Sequence, residues 1–270
     1  MILNIRNALI KNLYIFFIIT MIFKYEISLS QSKDTIIVNT SSINVKNIKE
    51  SSNEYLVYYK MKGHTNKTNY EFWSRVISFE ETKGKKTIKI NQIWENMDSI
   101  FHKSSTTLNK VNFKTIYHDV WWKKNNKKLT ASFDFEAKKA IYDGEPLIKS
   151  KDSVINEKHI AFEKALNQNF LNWHLDLEVF QLLEYKKDAV YKINFYDPGF
   201  NEPKNIVYTV IGTDSLSGYN NQKIKCWLLF HEEQGSHKET FWISTSTNEV
   251  LKMEQEFGGN FRCKIKLGFN

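Results

Sequence analysis

The sequence predicts a mainly β (α+β) fold, in which a curled antiparallel meander of about twelve strands forms a half-barrel or open barrel. Two observations predict it. Short runs of alternating apolar and polar residues, separated by polar turns, fill most of the chain from residue 54 onward. One stretch, at about residues 158–185, instead carries apolar residues at helical spacing. Because consecutive hairpins twist, we expect the sheet to curl, with this stretch as one long helical crossover packed in or over its concave face.

Residues 1–30 predict a secretory signal peptide. Arg6 and Lys11 provide a basic start, residues 13–23 form an apolar run, and residues 28–30 read Ser-Leu-Ser before a cleavage point. The apolar run is shorter than a membrane-spanning helix requires, and an uncleaved N-terminal anchor is the alternative. No Cys lies near the cut. The sequence therefore predicts an exported protein, periplasmic or secreted, that is not lipid-anchored.

Residues 31–53 are polar and weakly patterned, so we expect a flexible leader or a short edge strand there. Residues 54–270 predict a single half-barrel domain with the helical insert 158–185. The predicted strands before the insert are EYLVYYKMKG at 54–63, NYEFWSRVISF at 69–79, KKTIKINQIW at 85–94, NFKTIYHDVWW at 112–122, LTASFDFEAK at 129–138 and AIYDG at 140–144. Those after it are VYKINFYD at 190–197, NIVYTVIGTD at 205–214, KIKCWLLFHEE at 223–233, KETFWIST at 238–245, EVLKMEQEF at 249–257 and FRCKIKLGF at 261–269.

The last strand has the clearest alternation. Apolar residues at every second position alternate with polar ones; the apolar set is Phe261, Cys263, Ile265, Leu267 and Phe269, and the polar set is Asn260, Arg262, Lys264 and Lys266. This pattern is typical of a strand with one buried and one solvated face, so we expect the cationic residues to face water.

Two cysteines, Cys226 and Cys263, lie on the apolar faces of predicted strands. In an exported chain they could form a disulfide. The alternative is a pair of buried, inert thiols.

The helical stretch carries two apolar stripes. One stripe has spacings of 4, 4, 3, 4 and 3 residues and consists of Phe162, Leu166, Phe170, Trp173, Leu177 and Phe180. A second stripe lies nearly opposite and consists of Leu171, Leu175, Val179 and Leu182. A helix that is apolar on two sides is either sandwiched in the core or lines a ligand cavity with one side. The candidate ligand contacts are Trp173, Leu171, Leu175 and Val179 of the helix, with Tyr59 and Phe72 of the sheet.

Three ionisable residues, His174, Asp176 and Glu178, occupy every second position within this stretch. On a strand they would share one face and could form a metal or acid/base triad. On a helix, His174 and Glu178 share one flank and Asp176 lies on another. The helical spacing favours a local polar pair over a metal site, which needs at least three ligands. We therefore expect no metal and no cofactor.

Asp134 and Glu136 are the best candidates for catalysis. On one strand face they would lie about 6.6–7 Å apart, a spacing that suits the paired carboxylates of glycoside hydrolysis. The same pattern suits the wet face of an amphipathic strand. The chain contains no GxSxG, P-loop, GxGxxG or CxxC motif, and we do not expect an enzyme.

The formal net charge of +8 falls to a modest +6 once Arg6, Lys11, Lys24 and Glu26 are removed with residues 1–30. The densest basic runs lie around residues 83–86 and 123–128, at predicted turns. We expect solvated turn lysines that allow peripheral contact with an anionic envelope surface, and no binding of nucleic acid. We also expect a monomer.

Three segments, NWHLDLEVFQLL at 172–183, INFYDPG at 193–199 and FWISTSTNEVLKME at 241–254, resemble an uncharacterised family of exported bacterial envelope proteins. That family is similar to the LolA-like lipoprotein carriers, and the resemblance covers about residues 54–269. It implies an incomplete antiparallel barrel, covered by helices, that holds acyl chains or other apolar ligands.

The leading hypothesis is therefore an exported soluble envelope protein that binds an apolar or lipid-like ligand in a half-barrel cavity without chemistry. One alternative is a non-catalytic interaction or scaffold module that binds a protein or cell-wall partner through surface aromatic and Lys residues. Another is a hydrolase that uses Asp134 and Glu136.

Overall fold

The computed structural model describes residues 35–124, 127–218, 221–233 and 237–268. The predicted signal peptide lies outside the described residues. No helix within these ranges combines the length and the hydropathy needed to cross a membrane.

The described residues form two α-helices and sixteen strands. The strands before the helices are β1 (Thr35–Val38), β2 (Ser51–Lys60), β3 (Lys67–Thr82), β4 (Lys85–Asn96), β5 (Ile100–Asn109), β6 (Thr115–Lys124), β7 (Lys127–Asp134), β8 (Lys139–Tyr142) and β9 (Glu145–Pro146). The helical region contains α1 (Ser153–Leu166), the two-residue strand β10 (Leu171–Asn172), a 3-10 turn (Trp173–Leu175) and α2 (Asp176–Gln181). The strands after it are β11 (Val190–Tyr196), β12 (Lys204–Ser217), β13 (Lys223–Glu233), β14 (His237–Ser244), β15 (Val250–Phe257) and β16 (Asn260–Leu267).

All the strands belong to one sheet. Its order is β1-β11-β12-β13-β14-β15-β16-β2-β3-β4-β5-β6-β7-β8-β9, and β10 pairs with β11 off this path. The pairing is antiparallel except where β1 and β10 meet β11. The β16–β2 pair joins the two halves of the chain, while β1 and β9 remain at the two edges. The predicted mainly β, largely antiparallel fold is confirmed, and the sheet is not closed into a barrel.

The alternation of apolar residues does not predict β5. Its buried positions are His102, Ser104, Thr106 and Leu108, each at most 5% exposed. Three of these four residues are polar. A strand that buries polar side chains lacks the apolar pattern by which strands are recognised in a sequence.

The described part of the predicted leader is a short edge strand followed by buried residues. β1 pairs with β11, with Thr35 opposite Val190. Val38, Ile43 and Val45 are buried in the main core. For residues 35–53 the flexible leader is thus replaced by packed structure.

The prediction of one helix over 158–185 is wrong. After α1 the chain leaves the helix at Asn167, whose Nδ2 donates to the carbonyl oxygen of Glu163 at 2.9 Å. Farther on, Oδ1 of Asn172 accepts from the backbone N–H of His174 at 3.0 Å. Such side-chain bonds to the backbone compete with helix continuation. The apolar spacing persists across the break because both segments cover the same sheet face.

The main core lies between residues 171–183 and the inner face of the sheet. Leu171, Leu175 and Val179 are fully buried in it. Sheet residues from both halves of the chain join the same cluster, such as Ile90 of β4 and Phe241 of β14. The stripe proposed as a cavity lining is therefore core.

A second core cluster lies beneath α1. Phe162 of α1 packs against Phe133 of β7 and against Phe135, with ring centroids 5.6 Å apart in both pairs. The two helices therefore cover different parts of the sheet.

The predicted wet face of β16 is buried, although Cys263 of the predicted apolar face is buried as expected. Lys264 and Lys266 are 3% and 4% exposed, whereas Leu267 is 37% exposed. The wet-face prediction is wrong because β16 is a central strand, between β15 and β2, and its cationic residues point into the interior.

Cys226 and Cys263 are buried free thiols. They lie on β13 and β16, with β14 and β15 between them in the sheet, so the disulfide is not formed. Burial raises the pKa of Cys226 to about 11 and also raises the pKa of Cys263. Both thiols are therefore protonated and poorly reactive at neutral pH.

Candidate ligand-binding cleft

An aromatic cleft with charged walls opens beside the main core. We call it the tryptophan cleft. Its volume is about 230 Å³. Its lining consists of Trp73, Arg75, Trp94, Trp122, Trp173, His174, Asp176, Asp197, Phe200, Arg262 and Lys264.

The tryptophan wall is a row of rings across four adjacent strands. In the sheet register Trp73 of β3 lies opposite Trp94 of β4, Trp94 opposite His102 of β5, and His102 opposite Trp122 of β6. Directly opposed side chains on one face are close enough to stack. The Trp73 and Trp94 rings are parallel with centroids 3.9 Å apart, and the Trp94 and His102 centroids are 4.0 Å apart.

The opposite wall comes from the 3-10 turn, the start of α2 and the turn after β11. Asp197 and Phe200 belong to that last turn, in which the backbone N–H of Phe200 donates to the carbonyl oxygen of Asp197 at 3.0 Å. Gly199 has a φ of +84°, and a Cβ there would lie 3.2 Å from the Phe133 ring. Glycine is therefore needed at this point for both the backbone angle and the space.

Arg75 is a fully paired buried cation. Its Nε and Nη2 donate to the two carboxylate oxygens of Glu178 at 2.9 and 2.5 Å, and Nη2 also donates to the carbonyl oxygen of His174 at 2.7 Å. Asp176 lies 3.7 Å from the same Nη2. Burial opposes the charge on Arg75, but Glu178 and Asp176 raise its pKa above the ordinary value. This bidentate pair fixes α2 to β3.

Lys264 is as deeply buried as Arg75 but lacks such partners. Its Nζ lies 4.3 Å from the centroid of the Trp73 ring. Lys264 lines the cleft, and none of the ion pairs among the described residues, which extend to 4.0 Å, includes its ammonium. Burial lowers the pKa of Lys264 to about 8, and the attraction of Asp176 opposes that shift.

Arg262 lies next to Lys264 on the same strand face. Its guanidinium carbon is 5.7 Å from the Trp73 centroid, so the two cations flank one indole ring. In the described structure the buried Nε of Arg262 has no hydrogen-bond partner.

A cluster of three buried histidines lies behind the tryptophan wall. The His174 ring centroid is 5.5 Å from that of His102 and 4.7 Å from that of His118. His118 Nδ1 bonds the Thr106 hydroxyl at 2.9 Å, and His174 Nε2 lies 3.2 Å from Asp197. Burial, reinforced by the neighbouring His174, lowers the pKa of His102 to about 2 and lowers that of His118 as well. Both residues are therefore neutral at physiological pH.

The histidine cluster is not arranged as a metal site. Within the described ranges, no group of three or more His, Cys, Asp or Glu side chains could hold a metal ion. The predicted pairing of His174 with Glu178 also does not occur, because His174 meets Asp197 and Glu178 meets Arg75.

Only one of the residues predicted to contact a ligand lines the cleft. Trp173 does so, whereas the stripe Leu171, Leu175 and Val179 is core. Tyr59 packs against the main core and lies opposite Arg262 in the sheet. Phe72 is 38% exposed on the outer face.

The carboxylates proposed for hydrolysis do not share a strand face, because β7 ends at Asp134 and Glu136 lies in the following turn. Asp134 Oδ1 accepts from the backbone N–H of Ala137 at 2.7 Å. Glu136 forms an exposed ion pair with Lys85, also at 2.7 Å. Neither carboxylate lines the tryptophan cleft, so both stabilise local surface structure.

The charged cleft residues carry a weak signal in the sequence. Arg75 falls between Trp73 and Ile77 on a strand face that is otherwise apolar. A lone cation at such a position indicates either a buried ion pair or a binding site. Lys264 gives no comparable signal, because its strand alternates as a surface strand would.

The chain matches a family model described as "Protein of unknown function (DUF3108)" over residues 54–266. Among solved structures, it is similar to a beta-barrel-like protein of domain of unknown function DUF1849 from Brucella abortus, with 8% sequence identity and a TM-score of 0.36. That similarity covers 80% of this chain and 95% of the other, and at this level it carries no argument about function. No curated protein sequence matches the chain. Because the family match covers most of the sequence, the protein belongs to the DUF3108 family.

Proposed function

We propose that this protein binds an apolar or lipid-like small molecule in the tryptophan cleft and does not transform it. The observation that carries this proposal is the cleft itself, in which Trp73, Trp94, Trp122 and Trp173 surround a space that the protein leaves unfilled. Ligand sites are typically concave and rich in aromatic side chains, with a few polar groups that set orientation. Export, contact with an envelope surface and a link to lipoprotein carriers remain predictions of the sequence.

The size of the cleft favours a ligand that enters by one end. Its volume of about 230 Å³ is below the roughly 300–1,000 Å³ of typical small-molecule pockets. A chain-like molecule could place one end between the tryptophans and extend the rest outward. The fully packed Leu171, Leu175 and Val179 leave no room for an acyl chain behind α2.

The state of the ionisable side chains supports binding over chemistry. Glu178 is held by Arg75 in a bidentate pair, and Asp197 is within 3.2 Å of His174. His102 and His118 are buried and their pKa values are lowered, so they are poor proton acceptors near neutral pH.

A pair of adjacent tryptophans provides the test. Trp122 lines the tryptophan cleft, whereas Trp121 lines a shallow outer-face groove of about 500 Å³ together with Ile93 and Ile141. We would identify co-purified ligand by native mass spectrometry and follow the binding of amphiphiles by tryptophan fluorescence. We expect W122L to weaken binding about tenfold or more, because its ring contacts are lost, and W121L to leave binding unchanged.

The reverse result would contradict the proposal. If W121L weakens binding and W122L does not, the outer groove carries the interaction, as expected for an interaction module. If neither the native extract nor any amphiphile shows binding, the proposed function is wrong.

A further inference from the structure

We propose that Lys264, flanked by Arg262, binds the anionic end group of the ligand, a carboxylate or a phosphate. The inference rests on the proposed function, and it names the ligand's class: an amphiphile with an acidic head.

The first step is the pairing of the charges that line the cleft. Arg75 is saturated by Glu178 and the backbone of His174. Asp176 Oδ1 accepts from the backbone N–H of Leu177 at 2.8 Å, besides its proximity to Arg75.

Asp197, the other acidic residue of the cleft, contacts Nε2 of His174 at 3.2 Å. Neither acidic residue of the cleft therefore needs a cationic ligand. Lys264 is different, because the carboxylates of Asp176 and Glu239 attract it without any ion pair to it among the described residues.

The second step is the cost of leaving this charge without a partner. A buried ammonium with no hydrogen-bonded counter-ion is strongly disfavoured. The Trp73 ring offsets part of that penalty through a cation–π contact at 4.3 Å. Burial lowers the pKa of Lys264, which agrees with a positive charge that the protein compensates only in part. An anion bound in the cleft would neutralise that charge.

The third step is geometry. Arg262 and Lys264 are two residues apart on β16, so they project to the same side of the strand. Both lie over one indole ring, and both line the cleft. Two donors side by side can contact two oxygens of one carboxylate or phosphate.

The experiment compares end groups on one chain length by isothermal titration calorimetry. The ligands are dodecanoate, dodecyl phosphate, dodecanol and dodecyltrimethylammonium, with acetate and inorganic phosphate as headgroups without a chain. We expect the two anionic amphiphiles to bind the wild-type protein about tenfold or more tightly than dodecanol, because only they neutralise Lys264. Equal affinities for dodecanol and the anionic amphiphiles would overturn the inference while leaving the proposed function intact.

The variants separate the role of the charge from a loss of structure. K264M should lose the preference for anions, measured as the ratio of the dodecanoate and dodecanol affinities of the same protein, and K264R should retain that preference. K252M is the matched control, because Lys252 also lies over an indole, that of Trp242 at 4.1 Å, but does not line the cleft. A preference that survives in K264M would contradict the assignment. The wild-type comparison requires no variant, so a poorly folded mutant leaves the test in place.

The headgroups without a chain identify the source of the anion. Weak binding of acetate and inorganic phosphate beside tight binding of the amphiphiles supports a lipid-like ligand. Equal binding of inorganic phosphate and dodecyl phosphate would overturn that assignment in favour of a free anion. Absence of all binding would overturn the proposed function as well.

Discussion

Arg75 and Lys264 are two buried cations in one cleft with opposite environments. They are 2% and 3% exposed, respectively. Arg75 donates to both oxygens of Glu178 and to a backbone carbonyl. Lys264 contacts the face of Trp73, and the carboxylates that attract it, Asp176 and Glu239, form no ion pair with it in the described part of the chain. Burial alone therefore does not distinguish a structural charge from a binding group. The groups that contact each charge make that distinction, and the following predictions test it.

The largest effect is expected for Arg75→Met. The variant leaves the Glu178 carboxylate buried without its partner, so the free energy of unfolding should fall by about 3–5 kcal/mol. Urea denaturation followed by circular dichroism measures this loss. The control is Lys85→Met, which breaks the exposed pair with Glu136 and should cost at most about 1 kcal/mol. Similar losses in the two variants would show that the buried pair is not structural.

Lys264→Met should change the free energy of unfolding in the opposite direction to Arg75→Met. Removal of an unpaired buried charge should raise the free energy of unfolding at pH 7 by about 1–4 kcal/mol. The charges that face Lys264 are Asp176, Glu239, Arg262 and Arg75. A loss of stability in this variant would mean that these groups already compensate the ammonium.

The stability difference between Lys264→Met and the wild type should depend on pH. Burial lowers the pKa of folded Lys264 to about 8. Below pH 8 the ammonium is charged in both states, so the buried charge lowers the free energy of unfolding by its full amount. As the pH rises from 8 toward the unfolded pKa of about 10.4, folded Lys264 loses its proton and this destabilisation disappears. The stability advantage of Lys264→Met should shrink over that interval, as urea denaturation at a series of pH values would show.

A third effect should come from the histidine cluster behind the cleft. Because folded His102 has a pKa of about 2, it contributes stability above the unfolded pKa of about 6.5 that is lost as the pH falls. At pH 5 its share of that loss should be about 2 kcal/mol. His102→Phe should therefore flatten the fall in stability between pH 7 and pH 5. An unchanged pH profile would show that His102 has the same pKa in the folded and the unfolded protein. The groups facing it are His174 and the backbone of Trp121.

Lys266→Met should have the smallest effect of the series. Lys266 is buried on the same face as Lys264 but is paired with Glu249 at 2.5 Å, and the Glu249 side chain is 25% exposed. Since water can solvate the abandoned carboxylate, the expected loss of unfolding free energy is about 1–2 kcal/mol. A loss as large as that of Arg75→Met would mean that Glu249 is effectively dry.

Apolar alternation predicted most strands because those strands bury apolar residues on one side. Alternation failed at β5, where His102, Ser104 and Thr106 point inward. It also assigned the wrong solvent exposure to Lys264 and Lys266 of β16, which are buried. In both strands the interior accepts polar groups, and pattern analysis assumes that it does not. The cleft lies in that polar part of the interior. The inward-pointing polar and charged side chains that line or support it are the same residues that interrupt the apolar alternation, so the sequence pattern did not predict it.

The prediction of one helix over 158–185 failed for a different reason. The apolar spacing of this region is a tertiary property, because the residues of α1 and α2 face one sheet surface. The break depends on local bonds made by Asn167 and Asn172, which periodicity does not reveal. Trp173, at that break, is the one predicted contact that lines the cleft.

The most direct test of the central claim is the free energy of unfolding of the wild-type protein and K264M, each with and without dodecanoate at about 100 times its Kd for the wild type. We expect K264M to be the more stable protein without ligand. The ligand should stabilise the wild type by about 2.7 kcal/mol and K264M by far less, so the difference between them narrows or reverses. If dodecanoate stabilises both proteins equally, and K264M is the less stable without it, Lys264 is a structural residue and the account is wrong.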